Sequence, residues 1–190
     1  MKKLLLLPAV LIIGALLASS AGAFADAPAV GSDAPEFTLT TNEGNQASLK
    51  DFRGQWVVLY FYPKDFTSGC TLEAHNFQAD LDKYKAMKVV ILGVSVDSAE
   101  SHKDFCAKEG LAFKLLSDPE GKVSDTYGSL MEYKSQKDGK DQVAKLSARN
   151  TFIIDPQGKV AKVFFKVSPK GHSEEVLASL ETLQKEAASN

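Results

Sequence analysis

The chain has 190 residues, 22 Lys plus Arg against 24 Asp plus Glu, a formal net charge of −2 and 44% hydrophobic residues, the profile of one well-buried globular domain. With no basic block and no basic stripe interleaved with aromatics, the charge pattern gives nucleic acid no footing. Two cysteines, with no CxxC and no second pair, argue against a zinc site or a thioredoxin-type dithiol and leave room for one structural disulfide.

Lys2 and Lys3 precede an apolar run from Leu4 to Leu17, and the small residues after it end in Ala23-Phe24-Ala25, the small-x-small pattern of a signal peptidase site. The run is short of the roughly 20 residues a spanning helix needs. Residues 1–25 therefore read as a cleaved bacterial-type export signal rather than an anchor. Cleavage after Ala25 leaves residues 26–190, a single domain of 165 residues with formal charge −4, exported to the bacterial periplasm without stable membrane association. No cysteine follows the apolar run, so lipoprotein-type acylation is not indicated.

Residues 26–35 are small and proline-bearing, a lead-in to the domain. EFTLT, the turn-rich NEGN and QASL predict an N-terminal β-hairpin. Trp56 to Tyr62 and Val89 to Val96 are continuous apolar runs, and Phe77, Leu81 and Tyr84 between them fall at helical spacing. This is a βαβ unit whose parallel strands belong in the middle of a sheet. A second helix runs from Ser98, a candidate N-cap, to a stop at Gly110. FKLLSD predicts a further strand, followed by a short helix near Lys122 to Tyr127. Residues 132–147, EYKSQKDGKDQVAKLS, are polar and Lys-rich, by composition the least ordered part. RNTFIID and KVAKVFFKV flank Asp155-Pro156-Gln157-Gly158, a turn that makes them a hairpin. A last helix from about Ser173 places Val176, Leu177, Leu180 and Leu183 on one face. With no repeat and no linker, the fold class is α/β, one mixed central sheet with helices on both faces.

Cys70 falls where the strand Trp56–Tyr62 gives way to the helix. A thiol there sits beyond the carboxyl end of a central strand, where α/β sheets form crevices, and in a first helical turn, whose unpaired N–H groups favour a thiolate. Its lead-in, Phe66-Thr67-Ser68-Gly69, reads as a polar turn rather than a core face. Thr67, three residues before the cysteine, serves equally as a helix cap or as a hydroxyl beside the sulfur. Pro63 ends the strand. Only Arg53 and Arg149 are arginine, and Arg149 heads the apolar strand TFII. A permanently charged planar fork at that entry suits a thiolate, a polarised oxygen or an ion pair with Glu73.

VVLYFYPKDFTSGCTLEA closely resembles the active-site signature of peroxiredoxins of the bacterioferritin-comigratory, or Q, type. The likeness runs from about Gly31 through FKLLSDPEGKVSDTYG and RNTFIIDPQGKV to KGHSEEVLASL. The pattern Pro-x-x-x-Thr-x-x-Cys is met by Pro63, Thr67 and Cys70, with Arg149 as the later arginine. The resemblance implies a thioredoxin-like fold and a thiol peroxidase that needs no metal or flavin. It implies that Cys70 attacks the peroxide and becomes a sulfenic acid, that Thr67 and Arg149 hydrogen-bond thiolate and peroxide, and that Pro63 shields the sulfur. The N–H groups of Gly69 and Cys70 complete that pocket, and Glu73 matches the glutamate placed near the arginine.

Two departures stand out. Ser68 replaces the usual proline of T-P-G-C, and His75 stands where many members carry a resolving cysteine. Cys106, in SHKDFCAKEG, resembles the second cysteine that some members carry on the next helix. The resemblance then implies a Cys70–Cys106 disulfide, local unwinding around Cys70 during turnover, and recycling by a thioredoxin-like or other thiol reductant. It also implies a monomer acting on hydrogen peroxide and organic hydroperoxides. His102 and Cys106 share a helix face, but two ligands do not make a metal site. His172 is expected to order the last helix. Two competing readings are a Cys–His hydrolase, which requires ester or amide turnover, and a non-catalytic Cys70–Cys106 bond indifferent to peroxide.

Overall fold

The computed structural model describes residues 26–137 and 140–189; the export-signal reading lies outside them. A seven-stranded sheet runs in the order β2-β1-β5-β4-β3-β8-β9. Its strands are β1 (Thr38–Thr41), β2 (Gln46–Ser48), β3 (Trp56–Phe61), β4 (Val89–Ser95), β5 (Lys114–Ser117), β8 (Thr151–Ile154) and β9 (Val160–Phe164). β3, β4 and β5 are mutually parallel, while β1, β2, β8 and β9 pair antiparallel. The two continuous apolar runs are thus adjacent strands in the middle of a mixed sheet. Strands buried on both faces leave no position where a polar residue meets water.

The pleat of β3 sorts the core into two layers. Val58, Tyr60 and Tyr62 pack with α1 (Ser68–Ala79), α2 (Leu81–Ala86), α3 (Ala99–Glu109) and α5 (His172–Ser189). Val57, Leu59 and Phe61 pack on the other face with residues of the N-terminal segment, Leu49 of a 3-10 turn (Leu49–Phe52), and Tyr127 at the end of α4 (Lys122–Thr126). Both faces are covered as the sequence predicts, with most of the helical mass on the first. Gly93 of β4 lies opposite Tyr60. A β-carbon there would fall 2.7 Å from the Tyr60 hydroxyl and 2.6 Å from Leu115 Cδ2, so glycine makes room for the tyrosine ring.

The predicted helix ends hold. Ser98 Oγ accepts from the Ser101 N–H at 3.2 Å, and Gly110 closes α3 in the left-handed region at φ 66°. At the β8–β9 turn, Asp155 Oδ1 accepts from the N–H groups of Gln157 and Lys159. α5 begins at His172, one residue before the expected start, and buries Val176, Leu177 and Leu180.

The segment 132–147 departs from its expectation. It belongs to an antiparallel ribbon, β6 (Leu130–Lys137) with β7 (Lys140–Ser147), in register from Leu130↔Ser147 outward. Nearly all of β7 is solvent-exposed, which explains a composition that reads as disorder. A ribbon with little core beneath it has no buried face to demand apolar alternation.

Candidate active site

Because β8 runs antiparallel to β3 in the register Tyr60↔Thr151, residues just before β8 lie beside the carboxyl end of β3. That topology brings Arg149 to Cys70 across 79 positions of chain. Arg149 is held from both sides: its carbonyl accepts from the Val167 N–H at 2.9 Å. Its buried neighbour Asn150 donates to Ser129 Oγ at 3.0 Å and accepts from the Lys166 N–H at 3.0 Å.

Cys70 is the third residue of α1, buried, with a free thiol. Arg149 Nη2 donates to its Sγ at 3.3 Å, and Nη1 of the same guanidinium donates to Glu73 Oε2. The sequence leaves Arg149 between thiol partner and ion-pair partner; the fork serves both. Cys70 and Glu73 are three residues apart on α1 and so share a helix face. Thr71 is the first residue of α1 to bond back to the N-cap, to the Thr67 carbonyl at 2.9 Å. The N–H groups of Ser68, Gly69 and Cys70 precede it and have no intrahelical acceptor. Gly69 also gives the arginine space, since a β-carbon there would lie 3.3 Å from Nη2.

Glu73 is 1% exposed, and its Oε1 is buried without a hydrogen-bond partner. Burial pushes its carboxyl up to about 7, with Arg149 pulling the other way. At Arg149 burial opposes the charge, but Glu73 and Cys70 outweigh it and raise the guanidinium further. The two shifts differ in origin: desolvation prevails at the carboxylate, and the negative neighbours prevail at the cation. The site is therefore one permanent positive charge shared by a sulfur and a carboxyl group that gives up its proton near neutrality.

Thr67 is the N-cap of α1, in extended conformation, yet its side chain makes no capping bond. Its Oγ1 donates to the Lys64 carbonyl at 2.9 Å, so the expected reach into the first turn is replaced by a turn across its own loop. Ser68 and Gly69 already belong to the helix, so the polar turn leading to Cys70 is shorter than the sequence suggests. Ser68 stands at the first helical position, where proline is equally at home. Pro63 is half-buried at the end of β3. Arg53 is far from this chemistry in role, paired with Glu36 at the surface.

Cys106 lies on α3, 7% exposed, with a free thiol, in the same core layer as Cys70. Burial pushes its thiol up to about 12, helped by Asp65 and Glu43. His75 is half-exposed and faces Glu109 at 3.0 Å, tying α1 to the end of α3. His172 contacts Thr151 Oγ1 at 2.8 Å and Glu175 Oε2 at 3.4 Å, consistent with ordering α5.

His102 is not poised beside Cys106 as a ligand. It is fully buried, with Nδ1 2.9 Å from Asp65 Oδ2 and Nε2 3.2 Å from the Leu116 carbonyl. Both ring nitrogens are occupied. Asp65 also accepts from the Tyr62 hydroxyl at 2.7 Å and from Ser101 Oγ at 2.7 Å, and its N–H donates to Asp97 Oδ2 at 2.8 Å. Burial alone would raise its carboxyl, but His102, Ser101 and Tyr62 hold it below the usual carboxylate range. This network, absent from the sequence reading, fixes the loop after β3 onto α3. The next residue, Phe66, has φ 61°, a left-handed conformation that costs a side-chain-bearing residue about 1–2 kcal/mol.

The family described as AhpC/TSA matches residues 30–163. Peroxiredoxin Bcp of Xanthomonas campestris pv. campestris is 40% identical over 159 residues, covering 84% of this chain and 95% of that protein. Peroxiredoxin Bcp of Bacillus subtilis is 38% identical over 155 residues, covering 81% and 96%. A solved structure of the X. campestris bacterioferritin comigratory protein, from work on its alkyl peroxide reduction activity, is 38% identical with a TM-score of 0.69. It covers 77% of this chain and 90% of that one. Two further X. campestris peroxiredoxin Q structures carry single cysteine-to-serine changes at positions 36 residues apart.

Proposed function

The chain belongs to the AhpC/TSA family, among the Bcp/Q-type peroxiredoxins, and on that premise we propose that it reduces hydrogen peroxide and organic hydroperoxides through Cys70, with Cys106 as the resolving thiol. The observation that carries this reading is the Arg149 fork spanning Cys70 Sγ and Glu73 at the start of α1.

The Cys70 thiolate attacks one peroxide oxygen, the O–O bond breaks, and the departing oxygen leaves as alkoxide or hydroxide and takes up a proton. Cys70 becomes a sulfenic acid. Arg149 and the free N–H groups of Gly69 and Cys70 stabilise the charge that spreads over sulfur and both oxygens. Thr67 commits its own proton to Lys64, so its oxygen is the acceptor for the O–H of the incoming peroxide. Pro63 shields the sulfur from bulk water.

In the second step Cys106 attacks the sulfenic sulfur. The S–S bond forms, the S–O bond breaks, and the hydroxyl leaves with the thiol proton as water. The interval between Cys70 and Cys106 equals the 36 residues between the positions changed in the two X. campestris variants. A thioredoxin-like or other thiol reductant then returns both thiols. Neither a hydrolase nor an inert disulfide accounts for a charged fork aimed at the sulfur, and the three histidines make their contacts elsewhere. Cys70→Ser should abolish peroxide consumption supported by a dithiol reductant; full activity in that variant would overturn the reading.

Export to the periplasm, cleavage after Ala25 and action as a monomer complete the proposal. The support for export is the Lys2-Lys3, Leu4 to Leu17 and Ala23-Phe24-Ala25 pattern. Protein recovered from an extracytoplasmic fraction should begin at Asp26, and retention of residues 1–25 in the cytoplasm would refute export.

A further inference from the structure

We propose that Phe66 gates the step in which Cys106 meets oxidised Cys70: docked on α3 it keeps the peroxidatic loop closed, and the loop opens by pivoting at Phe66 beyond a fixed Asp65. The inference rests on the reading of Cys106 as the resolving thiol.

Three observations on one short segment carry it. Asp65 is held by four hydrogen bonds, from Tyr62, Ser101 and His102 to its carboxylate and from its N–H to Asp97, so the chain up to that residue is fixed to the sheet and to α3. Breaking a buried pair such as Asp65–His102 leaves an unpaired group in the core, which makes the network an anchor rather than a moving part. Beyond it the restraint changes in kind. Phe66 is in the left-handed region and 46% exposed, and Thr67 is held through its side chain by one bond inside its own loop.

What keeps Phe66 in place is contact with α3. Its ring meets Phe105 edge-on, with centroids 5.1 Å apart at 71°, and Lys108 Nζ lies 5.3 Å from its centroid. Phe105 and Lys108 stand on either side of Cys106 along the helix. The same contact that seats the start of α1, with Cys70 ready for peroxide, therefore lies across the element that must release Cys106. Release of Phe66 also relaxes its backbone, so the closed loop is the strained state and the aromatic contact is its restraint. Residues at positive φ in such sites are a store of conformational bias.

The test separates the two chemical steps in the full-length protein. After one equivalent of hydrogen peroxide, rapid quenching with iodoacetamide and intact-mass measurement give the sulfenic acid and the disulfide as functions of time. In Phe66→Ala the ratio of disulfide closure to sulfenic acid formation should rise roughly 3- to 10-fold, the size of one aromatic contact. Reduced Cys70→Ser/Phe66→Ala should be alkylated at Cys106 faster than Cys70→Ser by a similar factor. Phe66→Tyr, which keeps the ring, should behave as the unaltered protein in both assays. Closure and alkylation unchanged in Phe66→Ala would overturn the gate and leave Cys106 as resolving thiol. Absence of any disulfide in the unaltered protein, with sulfenic acid at Cys70, would overturn both.

Discussion

Arg149 occupies a position that lysine would not fill. Its planar fork reaches Cys70 Sγ with one nitrogen and Glu73 with the other, a fixed two-nitrogen spacing that the compact ammonium of lysine does not offer. Arg149→Lys should lower the second-order rate with hydrogen peroxide by roughly 100-fold or more, as loss of an oxyanion donor does; competition with a haem peroxidase measures it, and a change under threefold would contradict the role. Glu73 sets a pH dependence on folding. Its carboxyl ordinarily titrates at 4.5 and is pushed up to about 7 by burial. Below the lower value both folded and unfolded states hold the proton, and the group contributes nothing. Between the two, the unfolded chain has lost a proton that the folded one retains, so stability falls as pH rises and levels off above about 7. The shift corresponds to roughly 3 kcal/mol. Urea melts at pH 4.5 and 7.5 should show that slope in the unaltered protein and a flatter one in Glu73→Gln; parallel slopes would contradict it. Cys70 and Arg149, which the structure brings together, were legible because motif spacing and a scarcity of arginine mark them; the turn of the Thr67 hydroxyl to the Lys64 carbonyl was not, because spacing alone does not fix a side-chain rotamer. Asp65 and His102 were not, because a charged residue and a histidine 37 positions apart look like solvated groups until the fold buries them together.

At the scale of elements, the reading succeeded where burial is two-sided. β3 and β4 are unbroken apolar runs because both faces are covered, and α3 announces its ends through Ser98 and Gly110. Gly93 is the residue in these strands that composition marks as weak and packing explains. Gly93→Ala should cost about 1–3 kcal/mol of stability by overpacking against Tyr60 and Leu115. An unchanged urea midpoint would show that the Tyr60 ring has room to move. The β6–β7 ribbon was missed for the opposite reason. Neither face of β7 is buried over most of its length, so no alternation survives in the sequence. The signal that would have found it is Asp138-Gly139, a hairpin-turn pair, in a stretch otherwise read by charge.

Over the whole molecule, topology does what local sequence does not: it joins three segments distant in the chain at one end of the sheet. The parallel β3–β4 pair sets Cys70 above the strand ends, and the antiparallel return of β8 delivers Arg149. α3, packed in the same layer as α1, holds Cys106 in the core, where burial raises its thiol to about 12. Burial of both thiols disfavours ionisation of Cys106, so the proposed resolving step calls for an opening between α1 and α3. Whether these two thiols act in sequence on peroxide is decided by intact mass with thiol counting after one equivalent of hydrogen peroxide, on the unaltered protein and on Cys106→Ser. Sequential action gives loss of both thiols and of two hydrogens in the first, and one added oxygen at Cys70 in the second. A Cys70 thiol that survives peroxide in both proteins would contradict it.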